Sequence, residues 1–309
     1  MPSPRPRADG SPLASSPVHI ILLLFLTVFL GYLVGIGAAY GLCALAGKDL
    51  LVLLEQLSAE SPRFDRQLVR FVNGINHAFT FLLPGLAVAA LAYGSRWREN
   101  LRLTSHTPAR TLLLGVVFIL SAFPFAQWLY QINQALPLPN WLTRMDKSAE
   151  EMILALLRME APFELLVNLL VIAVLPALGE ELVFRGVLQR QLQRLSDNPH
   201  LAVWTAAIVF SLFHLQFQGF LPRLALGALL GYLFWWTASL WVPVLAHFAN
   251  NAVQVLAQYA WKDETAAVLQ PQAGEEPMHW GWGLLSLFLI LGMAYFFQAR
   301  SAGRVNSLR

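Results

Sequence analysis

A single cysteine, Cys43, is all the thiol that 309 residues provide, so an intramolecular disulfide and a multi-cysteine metal site are both excluded. Charge is scarce too. Only 13% of residues are charged, against about 25% in an ordinary soluble domain, so water is not the main solvent of this chain. Missing as well are the HExxH helix of zinc proteases, the GxSG of rhomboid-like serine proteases and a pair of membrane aspartates. There is no internal repeat, which weakens the case for a transporter built from repeated halves. The arginines lie scattered between apolar blocks instead of on one face, so the net charge of +3 does not suggest nucleic acid.

What the chain has in abundance is apolar sequence, 57% of all residues. The blocks are too long for buried strands, since about 20 apolar residues in a helix cross about 30 Å of hydrocarbon. They predict an all-α, polytopic membrane bundle of about eight transmembrane helices, near 18–42, 69–94, 111–134, 163–194, 200–218, 222–237, 240–258 and 281–298. Arg5 and Arg7 ahead of the first block imitate a signal peptide. That block, however, exceeds the roughly 7 to 15 residues of a secretory h-region and reads as an uncleaved span. Residues 1–16 have little to bury and read as a disordered tail, 17–300 as the bundle and 301–309 as a basic tail. The stretches 49–57 and 150–157 mix leucines with acids, as interfacial helices do.

Lys and Arg tend to stay cytoplasmic. Arg96, Arg98, Arg102 and Arg110 follow the second block, Arg300, Arg304 and Arg309 end the chain, and the segment 262–276 is acidic. Eight spans satisfy this pattern with both termini in the cytoplasm, in a multi-pass protein of a bacterial inner (plasma) membrane.

A charge near the bilayer centre costs about 2.5 to 3.5 kcal/mol on insertion scales, so ionisable groups within spans mark candidate sites. Three clusters stand out: GEELVFRG at 179–186, FSLFH at 210–214 and HFANN at 247–251. Residues four apart share a helix face, so Glu181 can pair with Arg185, and His247 and Asn251 look the same way, while Glu180 points about 100° aside. Counted from a turn at 196–199, Glu180 and His214 come level with one another inside the membrane. His247 comes out roughly 10 Å shallower on the same count, a gap that tilt or unequal turn heights must close. His19, His77, His106, His200 and His279 fall near span ends or loops, and Trp235, Trp236, Trp241, Trp280 and Trp282 fit interfacial anchors. Pro176 and Gly179 suggest a kink just before the glutamates.

These clusters resemble the three motifs of the CPBP family (CAAX proteases and bacteriocin-processing enzymes), EExxxR, FxxxH and HxxxN. They stand in order at Glu180, Glu181 and Arg185, at Phe210 and His214, and at His247 and Asn251. The surrounding text, EELVFRGVL and GALLGYLFWWTASLWVPVLAHFANNA, is similar as well, and the likeness covers about 160–258. Trp235 and Trp236 depart from it, since relatives often carry a basic residue there. The resemblance implies an intramembrane endopeptidase acting on membrane-embedded or lipid-anchored peptides. Glu180 would be the general base, His214 its aid, His247 and Asn251 the donors to the oxyanion, and Glu181 and Arg185 the groups that orient them. It implies no cofactor. Zinc stays open as an alternative, because two histidines and a glutamate are also a ligand set. A non-proteolytic scaffold or bacteriocin-immunity factor stays open too, as does a transporter that uses the same groups for protons.

Overall fold

The computed structural model describes residues 16–261 and 278–306, and among them the only regular secondary structure is helical. The expected tail up to residue 15 and the acidic segment 262–276 lie outside the described residues. Ten helices follow in order: α1 Pro17–Leu45, α2 Leu50–Glu55, α3 Arg63–Asn100, α4 Ala109–Gln134, α5 Asn140–Leu157, α6 Pro162–Ser196, α7 Pro199–Phe213, α8 Phe220–Thr237, α9 Trp241–Trp261 and α10 Trp280–Asn306. A helix stands at each of the eight expected blocks. Five of them, α1, α3, α4, α6 and α10, are long and apolar enough to cross a membrane. α7 is shorter, at 15 residues, and α9 carries the polar side chains His247, Asn250, Asn251 and Gln254. The protein is an all-α polytopic bundle. Leu22, Leu26 and Phe29 of α1 and Phe288, Leu289 and Leu291 of α10 point outward, an apolar exterior suited to lipid.

Several boundaries differ from the sequence expectation, each for a physical reason. α3 begins at Arg63 and not near 69, because the charges in its first turns are all compensated. Lys48 bonds Asp65 at 3.0 Å, Arg66 pairs with Glu160 at 2.5 Å, and Arg63 and Arg70 both reach Glu164 Oε1 at 3.1 Å. α5 starts at Asn140, ten residues before the stretch expected as interfacial. α7 ends at Phe213 instead of 218, giving way to a loop that side chains hold from outside. α10 continues to Asn306, through the start of the expected tail.

α6 is the axis of the main apolar core. Its Ala177, Leu182, Val183, Phe184, Val187 and Leu188 pack on Ile20, Leu24 and Val28 of α1, on Val88 and Ala89 of α3, and on Ala206 and Phe210 of α7. A second core joins α4, α8, α9 and α10 through Phe118, Leu233, Val242 and Ile290. At the α1–α3 crossing the backbones almost touch: a Cβ on Gly31 would fall 2.0 Å from the Phe79 carbonyl oxygen, so only glycine fits. Three π-helical segments interrupt the long helices, Ala78–Leu82 in α3 and Leu169–Val174 and Leu182–Gln189 in α6. Such segments are rare and recur at functional sites.

Candidate active site

Two of the π segments bracket the single α-helical stretch Leu175–Glu181, which ends on the paired glutamates. Pro176, near its start, has no N–H to give the helix ladder, and the ladder before it has already opened into π geometry. One turn later Gly179 lets α6 press onto α3, since a Cβ there would lie 3.1 Å from both the Leu82 nitrogen and the Phe81 Cβ. The glutamates are thereby set against the π turn of α3.

Glu181, Arg185 and His247 form one bonded unit. Arg185 Nη1 donates to Glu181 Oε1 at 2.7 Å, and His247 Nδ1 meets the same oxygen at 2.8 Å. Arg185 Nη2 also donates to the Gly227 carbonyl at 2.7 Å, and its guanidinium lies 4.8 Å from the centre of the Phe210 ring. All three side chains are buried, so these charge-assisted bonds act in a medium where water competes little. With Nδ1 held by a carboxylate, Nε2 is the edge of His247 left to act. It faces Glu180 Oε2 at 3.9 Å.

The Glu180 carboxylate, turned away from Glu181 as helix geometry requires, is 6% exposed and has no hydrogen-bond donor on Oε2 among the described residues. Its other oxygen faces His77 Nε2 of α3 at 3.7 Å. The sequence placed His77 near a span end. It lies instead well within the 38-residue helix α3, because that helix starts earlier than expected.

The gap in depth between His247 and Glu180 closes through unequal turn heights. A Cβ on Gly186 would meet Leu101 Cδ2 at 2.9 Å and Leu240 Cδ2 at 3.6 Å, so the α8–α9 turn lies level with Gly186. That is eleven residues, or roughly 16 Å at helical rise, from Asp197 in the α6–α7 turn. Leu240 N donates to the Arg102 carbonyl at 3.3 Å and Trp241 Nε1 to the Leu103 carbonyl at 3.0 Å, which fixes the turn there.

His214 caps α7 and opens the 214–219 loop, and it is not within ion-pairing distance of Glu180. Its Nδ1 is 3.0 Å from the Phe210 carbonyl, and its ring packs edge-on to Phe210 at 5.0 Å, while the other side of the cluster brings Phe210 within 6.2 Å of His247. Side chains hold several of the loop's peptide groups. Asp146 accepts from Phe217 N at 2.8 Å and Gln218 N at 2.9 Å, Asn133 donates to the Phe217 carbonyl at 2.8 Å, and Arg223 donates to the Gln216 carbonyl. No sequence motif announced Asp146 or Asn133 in this role. Asn251, one turn from His247, donates to the Ile172 carbonyl at 3.0 Å and takes a bond from Asn250 at 3.1 Å. Beside this amide pair lies a cavity of about 280 Å³ between α4, α5, α8 and α9, lined by Tyr130, Asp146, Arg223, Asn250 and Gln254 among others. Among the described residues no three His, Cys, Asp or Glu groups are grouped as a metal site.

Comparison with known proteins bears on this segment. Residues 162–253 match the model of the Rce1-like type II CAAX prenyl endopeptidases, so the CPBP-type resemblance holds there. The chain is also similar to the uncharacterized protein YpbD of Bacillus subtilis (strain 168), with 34% identity over 90 residues. That similarity covers 28% of this chain and 43% of YpbD, less than half the length of that curated relative. No solved structure gives a significant match. An Rce1-like segment within apolar helices makes this an integral membrane protein whose matched family is one of membrane endopeptidases.

Proposed function

We propose that the protein is an intramembrane endopeptidase that hydrolyses membrane-embedded or lipid-anchored peptides with water activated by Glu180. The observation that carries this reading is the Glu180 carboxylate itself: buried, without a hydrogen-bond donor on Oε2 among the described residues, and faced by an imidazole whose far edge is bonded to Glu181. A carboxylate left so in a water-poor site costs stability, and ionisable groups kept at that cost mark functional sites.

In the proposed reaction, Glu180 takes a proton from water as the water oxygen bonds to the substrate's carbonyl carbon. The negative charge passes to the carbonyl oxygen, where His247 Nε2, when the ring carries both protons, and Asn251 Nδ2 donate to it. For this, Asn251 exchanges its bond to the Ile172 carbonyl for the oxyanion. The C–N bond then breaks as the proton moves from Glu180 to the leaving nitrogen, releasing a carboxylic acid and an amine. His214, with Nδ1 at the Phe210 carbonyl, keeps Nε2 for relaying that proton. Glu181 and Arg185 hold His247 in place.

The metal-free form is favoured because His214 stands across Phe210 from His247, apart from the Glu180–His247 pair. The family description points to prenylated tails as a substrate class, and the cavity beside Asn250 offers room for a peptide. In this reading the catalytic core spans about 160–258 and both termini lie in the cytoplasm of a bacterial inner membrane, consistent with the arginine-rich segments.

The test is a comparison of new protein N-termini in membranes holding wild type, Glu180→Ala or His214→Ala, with and without 1,10-phenanthroline. Fragments present only with wild type and indifferent to the chelator are expected. Identical fragment sets in all three membranes would refute the endopeptidase, and chelator-sensitive cleavage would replace the metal-free form with the zinc one.

A further inference from the structure

We infer that His77, on α3 and outside the matched segment, is a further catalytic residue that holds the attacking water against Glu180. This inference rests on the proposed hydrolysis. Its basis is a juxtaposition that the motifs do not contain: the His77 and His247 Nε2 atoms face opposite oxygens of one carboxylate, at 3.7 and 3.9 Å. Neither distance is a direct hydrogen bond, and polar groups spaced in this way are commonly joined through water.

Among the described residues His77 Nε2 is buried with no direct hydrogen-bond partner, and its side chain is only 13% exposed. A buried nitrogen without a direct hydrogen bond in a membrane helix is costly, and the nearest polar group facing it is the Glu180 carboxylate. The ring is also fixed in place. Phe81 packs on it at 4.8 Å, and Phe81 in turn contacts Phe184 of α6. The π turn Ala78–Leu82 begins at the next residue, and Gly31 and Gly179 admit α1 and α6 against that turn from two sides. Three helices thus converge on the backbone that aims this imidazole.

A nucleophilic water must lose one hydrogen to the base and have its second hydrogen accepted, so that a lone pair points at the carbonyl carbon. Glu180 Oε1 takes the first, and His77 Nε2, as the unprotonated edge of a neutral ring, accepts the second as a hydrogen bond. His77 undergoes no net proton transfer. His247 is then free for the oxyanion.

The experiment uses the full chain in detergent micelles and two quenched-fluorescent peptides of one sequence, one with an S-farnesyl cysteine four residues from its C-terminus and one without. Variants are His77→Phe, of similar shape but without a ring nitrogen, His77→Gln, which restores an acceptor, and Glu180→Gln. Removing one group that positions the reacting water is expected to lower kcat roughly 10²-fold, the scale of a lost polar contact at a reacting centre. KM should stay within about threefold, since the role inferred for His77 is toward the water and not toward the peptide, and His77→Gln should recover part of kcat. Thermal unfolding of each variant separates this from misfolding, and a loss of kcat only in proportion to the unfolded fraction would overturn the inference. Full activity in His77→Phe alongside an inactive Glu180→Gln would overturn the role of His77 and leave the endopeptidase standing. No cleavage of either peptide by wild type, or cleavage that survives Glu180→Gln, would remove both.

Discussion

Replacing Glu181 with glutamine tests the bonded unit at the centre of the bundle. One carboxylate oxygen, on a side chain with no exposed surface, takes both Arg185 Nη1 at 2.7 Å and His247 Nδ1 at 2.8 Å. Hydrogen bonds to charged groups contribute about 1.5 to 3 kcal/mol each, and stranding one partner of a buried ion pair costs about 3 to 5 kcal/mol. An amide keeps a neutral acceptor for one donor, and the Gly227 carbonyl still takes a hydrogen bond from Arg185. Glu181→Gln should therefore lie near the lower end, a loss of about 3 kcal/mol in SDS-driven unfolding from mixed micelles. The double variant Glu181→Leu with Arg185→Leu should lose less than the two single variants added together, because no buried charge is stranded. Cleavage should behave differently. His247 loses the group that fixes its ring in both cases, and a misoriented imidazole costs as much as about 10⁴-fold in the serine protease triad. Stability regained in the double variant without regained activity would separate the two roles. Should Glu181→Gln unfold within 1 kcal/mol of wild type and cleave within twofold of it, the unit does not hold His247 and the reasoning fails.

Glu164→Ala should destabilise by about 3 to 5 kcal/mol in the same unfolding titration, because it strands the fully buried Arg70 and frees the N–H groups of Glu160 and Ala161, now 2.6 and 3.0 Å from Glu164 Oε2. Unchanged unfolding would mean that the α3–α6 network is not what lets α3 begin at Arg63. Asp146→Ala leaves two loop N–H groups unpaired, at about 1 to 3 kcal/mol each where water cannot reach them. The loop carrying His214 should then loosen, seen as faster hydrogen exchange at Phe217 and Gln218. If exchange there stays as slow as in wild type, the loop is held by something else.

The sequence revealed the elements that depend on one segment at a time. Apolar length alone located a helix at every expected block, and i, i+4 spacing foresaw the Glu181–Arg185 pair that the structure shows at 2.7 Å. What it could not reveal depends on partners distant in the chain. Arg63, Asp65, Arg66 and Arg70 look like the end of a hydrophobic block until Lys48, Glu160 and Glu164 are seen to neutralise them. The end of α7 at Phe213 was hidden in the same way, because the side chains that replace helical bonding for the next residues come from Asn133 and Asp146. The depth of His247 likewise depended on a turn pinned to the Arg102 and Leu103 carbonyls.

This dependence also explains why motif reading stopped short of α3. The three motifs lie on α6, α7 and α9, and α3 carries none of them. Yet α3 is held against α6 by two kinds of contact. The Arg70–Glu164 pair ties the beginning of both helices together, and the close approach at Gly179 sets α6 against the π turn of α3 nearer the middle. Together these two contacts constrain where His77 stands relative to Glu180. The ion-pair network at one end of the bundle is therefore linked mechanically to the geometry around Glu180. Any loss of that network that leaves the protein folded should shift His77 along α6 before it disturbs the Glu181–His247 bond, which α9 and Arg185 hold independently of α3.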